Sequence, residues 1–295
     1  MLYIEPAAGA APIIQIINQA RHDVSVGVYY LSDRPILRAL QAAHARGVHI
    51  RAIVEGKPYG MKPWQVKKEE RAIQSTGATL HLAPYRFTNH GNQYAFYHAK
   101  YVCNGHECEI GTANFDWSAF HKNREYLYVT HNPAVVTAAN AVFNADWRNQ
   151  KAPAFAHRVL VLSPGTSAAQ LLRVINQPGP IDIESEELGP YRPVLDALAA
   201  KGRLARVILP SSISRTDKRN VAFLRVHGVQ VQLLPKKPLY MHAKMIVGNR
   251  LAFVGSENFT QTSLEDNREM GLLLNGGDVA RLQAQFARDW ALAGR

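Results

Sequence analysis

Residues 98–125 read HAKYVCNGHECEIGTANFDWSAFHKNRE, and residues 242–269 read HAKMIVGNRLAFVGSENFTQTSLEDNRE. The second stretch follows the first at a constant offset of 144 positions, from 98 to 242. Nine residues of the first stretch recur in the second: His98, Ala99, Lys100, Gly111, Asn114, Phe115, Asn123, Arg124 and Glu125. At roughly one chance in 20 per position, random recurrence on this scale is negligible, which indicates an internal duplication.

The duplication extends upstream of these two stretches. Residues 34–40 (RPILRAL) recur as 192–198 (RPVLDAL), and 77–84 (GATLHLAP) recur as 228–235 (GVQVQLLP). Apolar strand patterns alternate with helix patterns in both halves, which favours an α/β fold with sheets covered by helices. We predict two similar α/β/α sandwich halves related by a pseudo-twofold axis, with domains at residues 1–150 and 151–295.

The repeated polar residues form two matching sets. We predict strands at 98–103 and 125–130, and residues two apart on a strand face the same side. His98 therefore accompanies Lys100 on one strand face, and asparagines follow in Gly-[Thr/Ser]-x-Asn turns. Each half offers an imidazole, an ammonium, an amide and a carboxylate, and the candidate catalytic residues are His98, Lys100, Asn114, Glu125, His242, Lys244, Asn258 and Glu269.

This combination of groups suits the cleavage of a phosphodiester. One neutral imidazole can attack phosphorus and form a phosphohistidine, while the other, protonated, gives its proton to the leaving oxygen. Lysines and asparagines can stabilise the charge on the phosphoryl oxygens, and the glutamates can orient the imidazoles. Because two lysines already supply positive charge, we expect no metal ion and no cofactor.

At these residues the chain resembles the phospholipase D superfamily, whose members carry two His-x-Lys motifs, Gly-Ser-x-Asn and a downstream Asn-x-Glu. The resemblance covers almost the full length. It implies two phospholipase D-like domains that meet with both motifs in one cleft, so that one chain holds a complete site and a monomer suffices. It also implies that the first-half histidine, His98, is the nucleophile and that His242 is the acid.

Two departures from the family pattern concern the ends of the motifs. The aspartate that often follows the lysine by five residues is replaced by Gly105 and Asn249. The first copy carries Thr112 where the family has serine, which retains the hydroxyl group. Since the missing aspartate is thought to act structurally, the catalytic prediction is unchanged.

Charge points to a polyanionic partner. The 295 residues include 47% apolar and 19% charged residues, which is typical of a globular chain and excludes a disordered one. The formal net charge of +11 attracts nucleic acid, anionic membranes or phosphorylated substrates. The sequence shows no transmembrane segment and no signal peptide, although a leader could have been removed before the sequence begins.

The loop at 57–68 mixes cations with aromatic side chains, and its candidate substrate-binding residues are Lys57, Tyr59, Lys62, Trp64, Lys67 and Lys68. Cations for phosphates and aromatic faces for bases describe a groove for single-stranded nucleic acid. We therefore favour a metal-independent nuclease. A phospholipase D or cardiolipin synthase-like phosphatidyltransferase on anionic membranes is the first alternative, and a non-catalytic polyanion-binding module is the second.

The two cysteines leave localisation open. Cys103 and Cys108 flank a four-residue turn and would face each other across two strands, close enough for a disulfide. They could equally be two buried thiols, because the matching positions are Val247 and Ala252. A disulfide would favour a periplasmic or secreted protein, and free thiols a cytoplasmic one.

Overall fold

The structure, a computed structural model, describes residues 1–294 and contains two seven-stranded sheets. The strands of the first half are β1 (Leu2–Ile4), β2 (Asp23–Val28), β3 (His49–Val54), β4 (Thr79–Leu82), β5 (Lys100–Cys103), β6 (Cys108–Gly111), β7 (Asn123–Arg124) and β8 (Tyr126–Thr130). Its helices are α1 (Ala11–Gln19), α2 (Arg34–Ala45), α3 (Pro63–Gln74), α4 (Trp117–His121) and α5 (Pro133–Trp147).

The second half repeats this arrangement. Its helices are α6 (Ala156–Val159), α7 (Ser167–Ile175), α8 (Arg192–Lys201), α9 (Arg215–Val226) and α10 (Gly277–Ala293). Its strands are β9 (Val161–Ser163), β10 (Ile181–Ser185), β11 (Ala205–Pro210), β12 (Gln230–Leu234), β13 (Tyr240–Met241), β14 (Lys244–Val247), β15 (Leu251–Gly255) and β16 (Glu269–Asn275).

The two sheets have the same topology. The first has the order β1-β8-β6-β5-β2-β3-β4, and the second, read in the matching direction, has β9-β16-β15-β14-β10-β11-β12. Three strands in each are parallel to one another, while the others pair antiparallel. The predicted α/β fold with two similar halves is therefore confirmed.

A common core holds the two halves together. One face of each sheet packs with α5 and α10 in a single hydrophobic cluster that includes Phe143, Phe286, Ile110 and Val254. The outer faces of the sheets pack against other helices in two separate clusters, one for each half. Because the central cluster belongs to both halves, it fixes the position of one repeated motif relative to the other.

Helix α2 illustrates how the repeated helices begin and end. The Asp33 side chain accepts a hydrogen bond from the Ile36 backbone N–H at 3.0 Å, and Pro35 lies in the first turn. Gly47 follows the helix with a φ of 87°, a conformation that glycine adopts without steric cost. The chain then enters β3 at the centre of the parallel part of the sheet.

Two predicted strands are wrong at their first residues. The strand predicted at 98–103 begins at Lys100, and the strand predicted at 125–130 begins at Tyr126. The physical reason is pairing between the halves: the His98 backbone N–H donates to the Arg268 carbonyl at 2.9 Å. In the same way β13 pairs with β7 in parallel. The chain before each repeated histidine thus lies against the Asn-Arg-Glu segment of the other half.

The structure contains a disulfide between Cys103 and Cys108. The two residues face each other across β5 and β6, and their Cα atoms are 4.1 Å apart. Both are buried, so the bond closes the end of this hairpin inside the core. Of the two alternatives drawn from the sequence, the structure has the bridged form.

The connection between the halves runs from the end of α5 at Trp147 to the start of β9 at Val161 and includes the short helix α6. We propose that the domain boundary lies in this connection, at residues 150 and 151. Among residues 1–294, no helix is both long enough and apolar enough to cross a membrane.

Candidate active site

Both repeated motifs line one cleft of about 640 Å³. His98 and Asn114 come from the first half, and His242 and Asn258 come from the second. The cross-half backbone pairing brings them together, because it places the chain before each histidine beside the other half. The two half-sites therefore share a single space for a substrate.

Each histidine is paired with the glutamate of the other half. His98 Nδ1 lies 2.9 Å from Glu269 Oε2, and His242 Nδ1 lies 2.5 Å from Glu125 Oε1. Both glutamates are fully buried. Since a carboxylate accepts the Nδ1 proton, Nε2 is the nitrogen of each ring that remains for chemistry in the cleft.

Hydroxyl and amide groups hold the two carboxylates in place. Glu125 accepts hydrogen bonds from Thr112 Oγ1 at 2.6 Å and from Asn123 Nδ2 at 3.2 Å. Glu269 accepts from Asn267 Nδ2, the counterpart of Asn123, at 3.0 Å and from the hydroxyl of Ser263, which is not the counterpart of Thr112, at 2.6 Å. The hydroxyl of Thr112, which departs from the family serine, thus has a defined partner. These contacts restrict the glutamates to the orientation that meets the imidazoles.

Burial controls the charge of His98. Desolvation lowers the pKa of His98 and outweighs the attraction of Glu269, which acts in the opposite direction. An unperturbed histidine has a pKa of about 6.5, so His98 is neutral near pH 7. A neutral ring with its proton on Nδ1 carries a free electron pair on Nε2, which is what a nucleophile requires.

The two repeated lysines are fully buried beneath the histidines. Lys100 Nζ donates to the His98 carbonyl at 2.5 Å, and Lys244 Nζ donates to the His242 carbonyl at 2.6 Å. Burial lowers the pKa of Lys100 to about 7. Burial also acts on Lys244, but the carboxylates of Glu186, Glu125 and Glu187 together outweigh burial and raise the pKa of Lys244. Lys100 therefore loses its positive charge at a lower pH than Lys244 does.

Two asparagines complete the set of residues predicted from the sequence. Asn114 and Asn258 both line the cleft. Their Oδ1 atoms are buried, and within residues 1–294 neither has a hydrogen-bond partner. Because Oδ1 does not tie either amide to the protein, the Nδ2 groups can turn to donate to the oxygens of a bound phosphoryl group.

Sequence reasoning missed the role of the repeated arginines. Arg124 pairs with Asp289 of α10 at 2.7 Å, and Arg268 pairs with Asp146 of α5 at 2.8 Å. Both ion pairs are buried, and each joins one half to the other. They anchor the segments that carry Glu125 and Glu269. A second repeat was the available signal, since FNADW at 143–147 recurs as FARDW at 286–290.

Sequence reasoning also missed Glu186. This residue follows β10, at the position that Tyr29 occupies after β2, so the two copies differ in residue type at this position. Glu186 Oε2 lies 2.8 Å from Lys244 Nζ and 3.2 Å from His242 Nε2. Tyr29 instead meets the His98 ring edge-on at 4.8 Å between centroids. Residues that follow central strands of an α/β sheet often contact ligands, which was the signal available.

The loop residues predicted to bind substrate are divided by the structure. Lys57, Tyr59 and Lys67 line a side cavity of about 620 Å³, whose wall includes Tyr59, Tyr94 and Phe96 of the cleft. The other three do not line this cavity or the cleft: Lys62, Trp64 and Lys68. Lys67 also forms an exposed ion pair with Glu70 at 2.8 Å. Half of the loop set is therefore positioned beside the candidate site.

A metal-binding cluster is not part of this arrangement. Across residues 1–294, no three histidine, cysteine, aspartate or glutamate side chains are grouped in a way that could hold a metal ion. Independence from metal ions remains a prediction that a measurement must test.

Comparison with solved structures gives the fold of the whole chain. A polyphosphate kinase from Porphyromonas gingivalis matches 97% of this chain and 49% of its own, with a TM-score of 0.69 and 13% identity. A phosphatidylserine synthase from Haemophilus influenzae Rd KW20 matches 99% of this chain and 85% of its own, with a TM-score of 0.69 and 11% identity. At these identities the likeness concerns the fold.

Comparison of sequences gives the family. The family described as "Cardiolipin synthase, PLD-like domain" matches residues 13–147 and 181–290. A cardiolipin synthase from Clostridium perfringens (strain 13 / Type A) is 27% identical over 135 residues, which are 45% of this chain. The match spans about a quarter (26%) of the length of that relative. With both repeats inside the matched residues, the chain belongs to the phospholipase D superfamily, in the family of cardiolipin synthase-type phospholipase D-like domains.

Proposed function

We propose that this protein cleaves phosphodiester bonds through a covalent phosphohistidine, with His98 as nucleophile and His242 as general acid. One observation carries the proposal. Two buried His–Glu pairs, each formed across the halves, direct two Nε2 atoms into the same cleft. A nucleophile and an acid that share one substrate space are what a double-displacement reaction on phosphorus requires.

The first step joins the substrate to the enzyme. The lone pair of His98 Nε2 attacks phosphorus, the P–N bond forms, and the bond from phosphorus to the leaving oxygen breaks. The proton on His242 Nε2 goes to that oxygen, which leaves as an alcohol. In the second step His242 takes a proton from water or from an acceptor alcohol, whose oxygen attacks phosphorus and displaces His98.

The positive groups of the cleft act on the phosphoryl oxygens. Asn114 and Asn258 line the cleft and can donate to the non-bridging oxygens, while Lys100 and Lys244 lie buried behind the two histidines and add positive charge at short range. Glu125 and Glu269 act as positioning residues, because they keep each imidazole in the tautomer that presents Nε2.

For the substrate we favour single-stranded nucleic acid. The side cavity continues the cleft with Lys57, Lys67, Tyr59, Tyr94 and Phe96. Such a surface offers cations to phosphates and aromatic faces to unpaired bases. The net charge of +11 supports the same choice, since it attracts polyanions at long range.

Phosphatidyl transfer on anionic membranes is the second candidate. It is favoured by the matching family, which is named for cardiolipin synthase, and by the curated relatives of that name. The side cavity also has apolar walls at Met61, Val66 and Leu82, which would suit an acyl chain. In this reaction an alcohol would replace water in the second step. The hypothesis of a non-catalytic binding module does not explain the two buried His–Glu pairs, so we rank it third.

One panel of substrates tests the proposal and separates the two candidates. The protein is incubated with single-stranded DNA, duplex DNA, RNA and phosphatidylglycerol vesicles, with and without excess chelator. His98→Ala is the blank, and His49→Ala, an exposed histidine outside the cleft, is the matched control. Cleavage of single strands that survives chelator supports the nuclease. Headgroup exchange with intact nucleic acid supports phosphatidyl transfer, and loss of all activity in chelator would refute the metal-independent mechanism.

A further inference from the structure

The second half-site contains an anionic group that the first half-site lacks. The Glu186 carboxylate lies in the cleft with its side chain 22% exposed, and Oε2 contacts Lys244 Nζ at 2.8 Å and His242 Nε2 at 3.2 Å. In the first half the corresponding Tyr29 is neutral and presents its ring 5.4 Å from Lys100 Nζ. The two half-sites therefore differ by one negative charge, at the position of Tyr29 and Glu186.

Glu186 is ionised. Burial alone would raise the pKa of this carboxyl group, but His242 and Lys244 outweigh burial and lower the pKa to about 2. The neighbouring Glu187 lines the same cleft, where desolvation of its carboxyl group and the repulsion of Glu186 raise its pKa to about 7. Glu186 is thus a fixed negative charge beside His242 and Lys244.

The contacts of Glu186 are the contacts that the reaction needs. In the proposed reaction Lys244 supplies positive charge to the phosphoryl group, and His242 Nε2 carries the proton for the leaving oxygen. A carboxylate oxygen that bridges these two atoms stands where an anionic oxygen of the substrate would approach. A phosphate that enters the cleft must therefore compete with the Glu186 carboxylate for the positive charge of His242 and Lys244.

We propose that Glu186 is a specificity-determining residue that makes the cleft favour monoanionic phosphodiesters over dianionic phosphomonoesters. The inference rests on the proposed function, because it concerns the same cleft. Repulsion by a fixed carboxylate doubles when the charge of the ligand doubles, whereas contacts with neutral donors do not change in this way. The diester therefore enters at a smaller electrostatic cost than the monoester.

This preference has a consequence for turnover. Hydrolysis of the phosphohistidine releases a phosphomonoester, which is a dianion above its second pKa of about 6. Glu186 repels that product and regains its contacts with Lys244 and His242 as the product leaves. The same residue thus admits the substrate and limits inhibition by the product.

The test compares two ligands that differ by one charge. Affinities of methyl phosphate and dimethyl phosphate are measured at pH 8 by isothermal titration calorimetry, which does not require turnover. A single pH keeps the protonation of Lys100 and His98 equal for both ligands. The proteins are the wild type, Glu186→Gln, Glu186→Asp and the matched control Asp196→Asn, which removes an exposed carboxylate of the same half outside the cleft, each checked for its thermal unfolding temperature.

We expect Glu186→Gln to raise the affinity for methyl phosphate relative to dimethyl phosphate by roughly tenfold, since one charge repulsion is removed. Glu186→Asp should keep the wild-type ratio because it keeps the charge, and Asp196→Asn should change the ratio less than about twofold because this carboxylate lies outside the cleft. An unchanged ratio in Glu186→Gln, or equal changes in the Gln and Asp variants, would overturn the proposal. Failure of the proposed function appears separately, as absence of diester cleavage in the substrate panel.

Discussion

The two half-sites have the same four repeated groups but different surroundings. His98 and Lys100 lie beside the neutral ring of Tyr29, whereas His242 and Lys244 lie beside the carboxylate of Glu186. Burial lowers the pKa of His98 and the pKa of Lys100, while Glu186 raises the pKa of Lys244. A duplicated motif can thus place a neutral imidazole in one copy and a strongly charged environment in the other.

The largest effects should come from the two histidines. His98→Ala should lower kcat by about 10⁴-fold or more with any diester, because no other group forms the P–N bond. His242→Ala should cost about as much with an alkyl leaving group but much less with p-nitrophenolate, which needs little protonation. Steady-state rates with the two leaving groups check this. If a substrate with a p-nitrophenolate leaving group restored the activity of His98→Ala instead of His242→Ala, the roles of the two histidines would be reversed.

The crossed glutamate pairs make a prediction about pairs of variants. Glu269→Gln should impair the nucleophile His98, and Glu125→Gln should impair the acid His242. Each change should lower kcat by about 10 to 100-fold. Only the Glu125→Gln loss should shrink with p-nitrophenolate, since Glu125 serves His242 of the other half. Rates of both variants with both leaving groups decide the matter. If each glutamate behaved like the histidine of its own half, the crossed arrangement would be incorrect.

The lysines should differ in their pH dependence. Lys100 has a pKa of about 7, so its charged form is lost as the pH rises through that value, and kcat/KM for an anionic diester should then fall. Lys100→Arg keeps its charge and should move this decline to higher pH. Lys244→Arg should leave it in place, because the pKa of Lys244 is raised. Profiles from pH 5 to 9 provide the measurement, and a decline that Lys100→Arg fails to move would exclude Lys100 as its source.

The smallest effect concerns the loop at 57–68. Replacing Lys57 and Lys67 with Ala should weaken binding of the true polyanion by a few fold and flatten its salt dependence, because both line the side cavity. Replacing Lys62 and Lys68, which lie outside that cavity, should have less effect. Affinities at several salt concentrations compare the two double variants. Equal losses in both would show that the loop attracts polyanions through its total charge and has no specific subsite.

The fold and most site residues could be predicted because the duplication marks them. His98 and His242 stand out since they recur, while other positions of the same repeats have changed, as from Thr79 to Gln230. The crossing of the glutamates could not be read in this way. A constant offset aligns Glu125 with Glu269, but it does not say which histidine each one meets; the pairing of β13 with β7 decides that.

A comparison of the two copies does not reveal Glu186, for the opposite reason. It breaks the repeat, because the first copy has Tyr29 at that position, and a comparison of the two copies treats such a difference as drift. Its importance depends on where β10 ends relative to Lys244, which is a property of the sheet. A comparison of internal repeats thus identifies the functional residues that both copies share and overlooks functional residues present in only one copy.

Trapping the covalent intermediate tests the central claim most directly. His242 both protonates the leaving group and activates the second nucleophile, so His242→Ala should form the phosphohistidine from bis(p-nitrophenyl) phosphate but release it slowly. We predict an adduct by mass spectrometry on the peptide that contains His98, and none in His98→Ala. An adduct on His242 in His98→Ala, or no adduct in either variant, would contradict a shared cleft in which His98 attacks phosphorus.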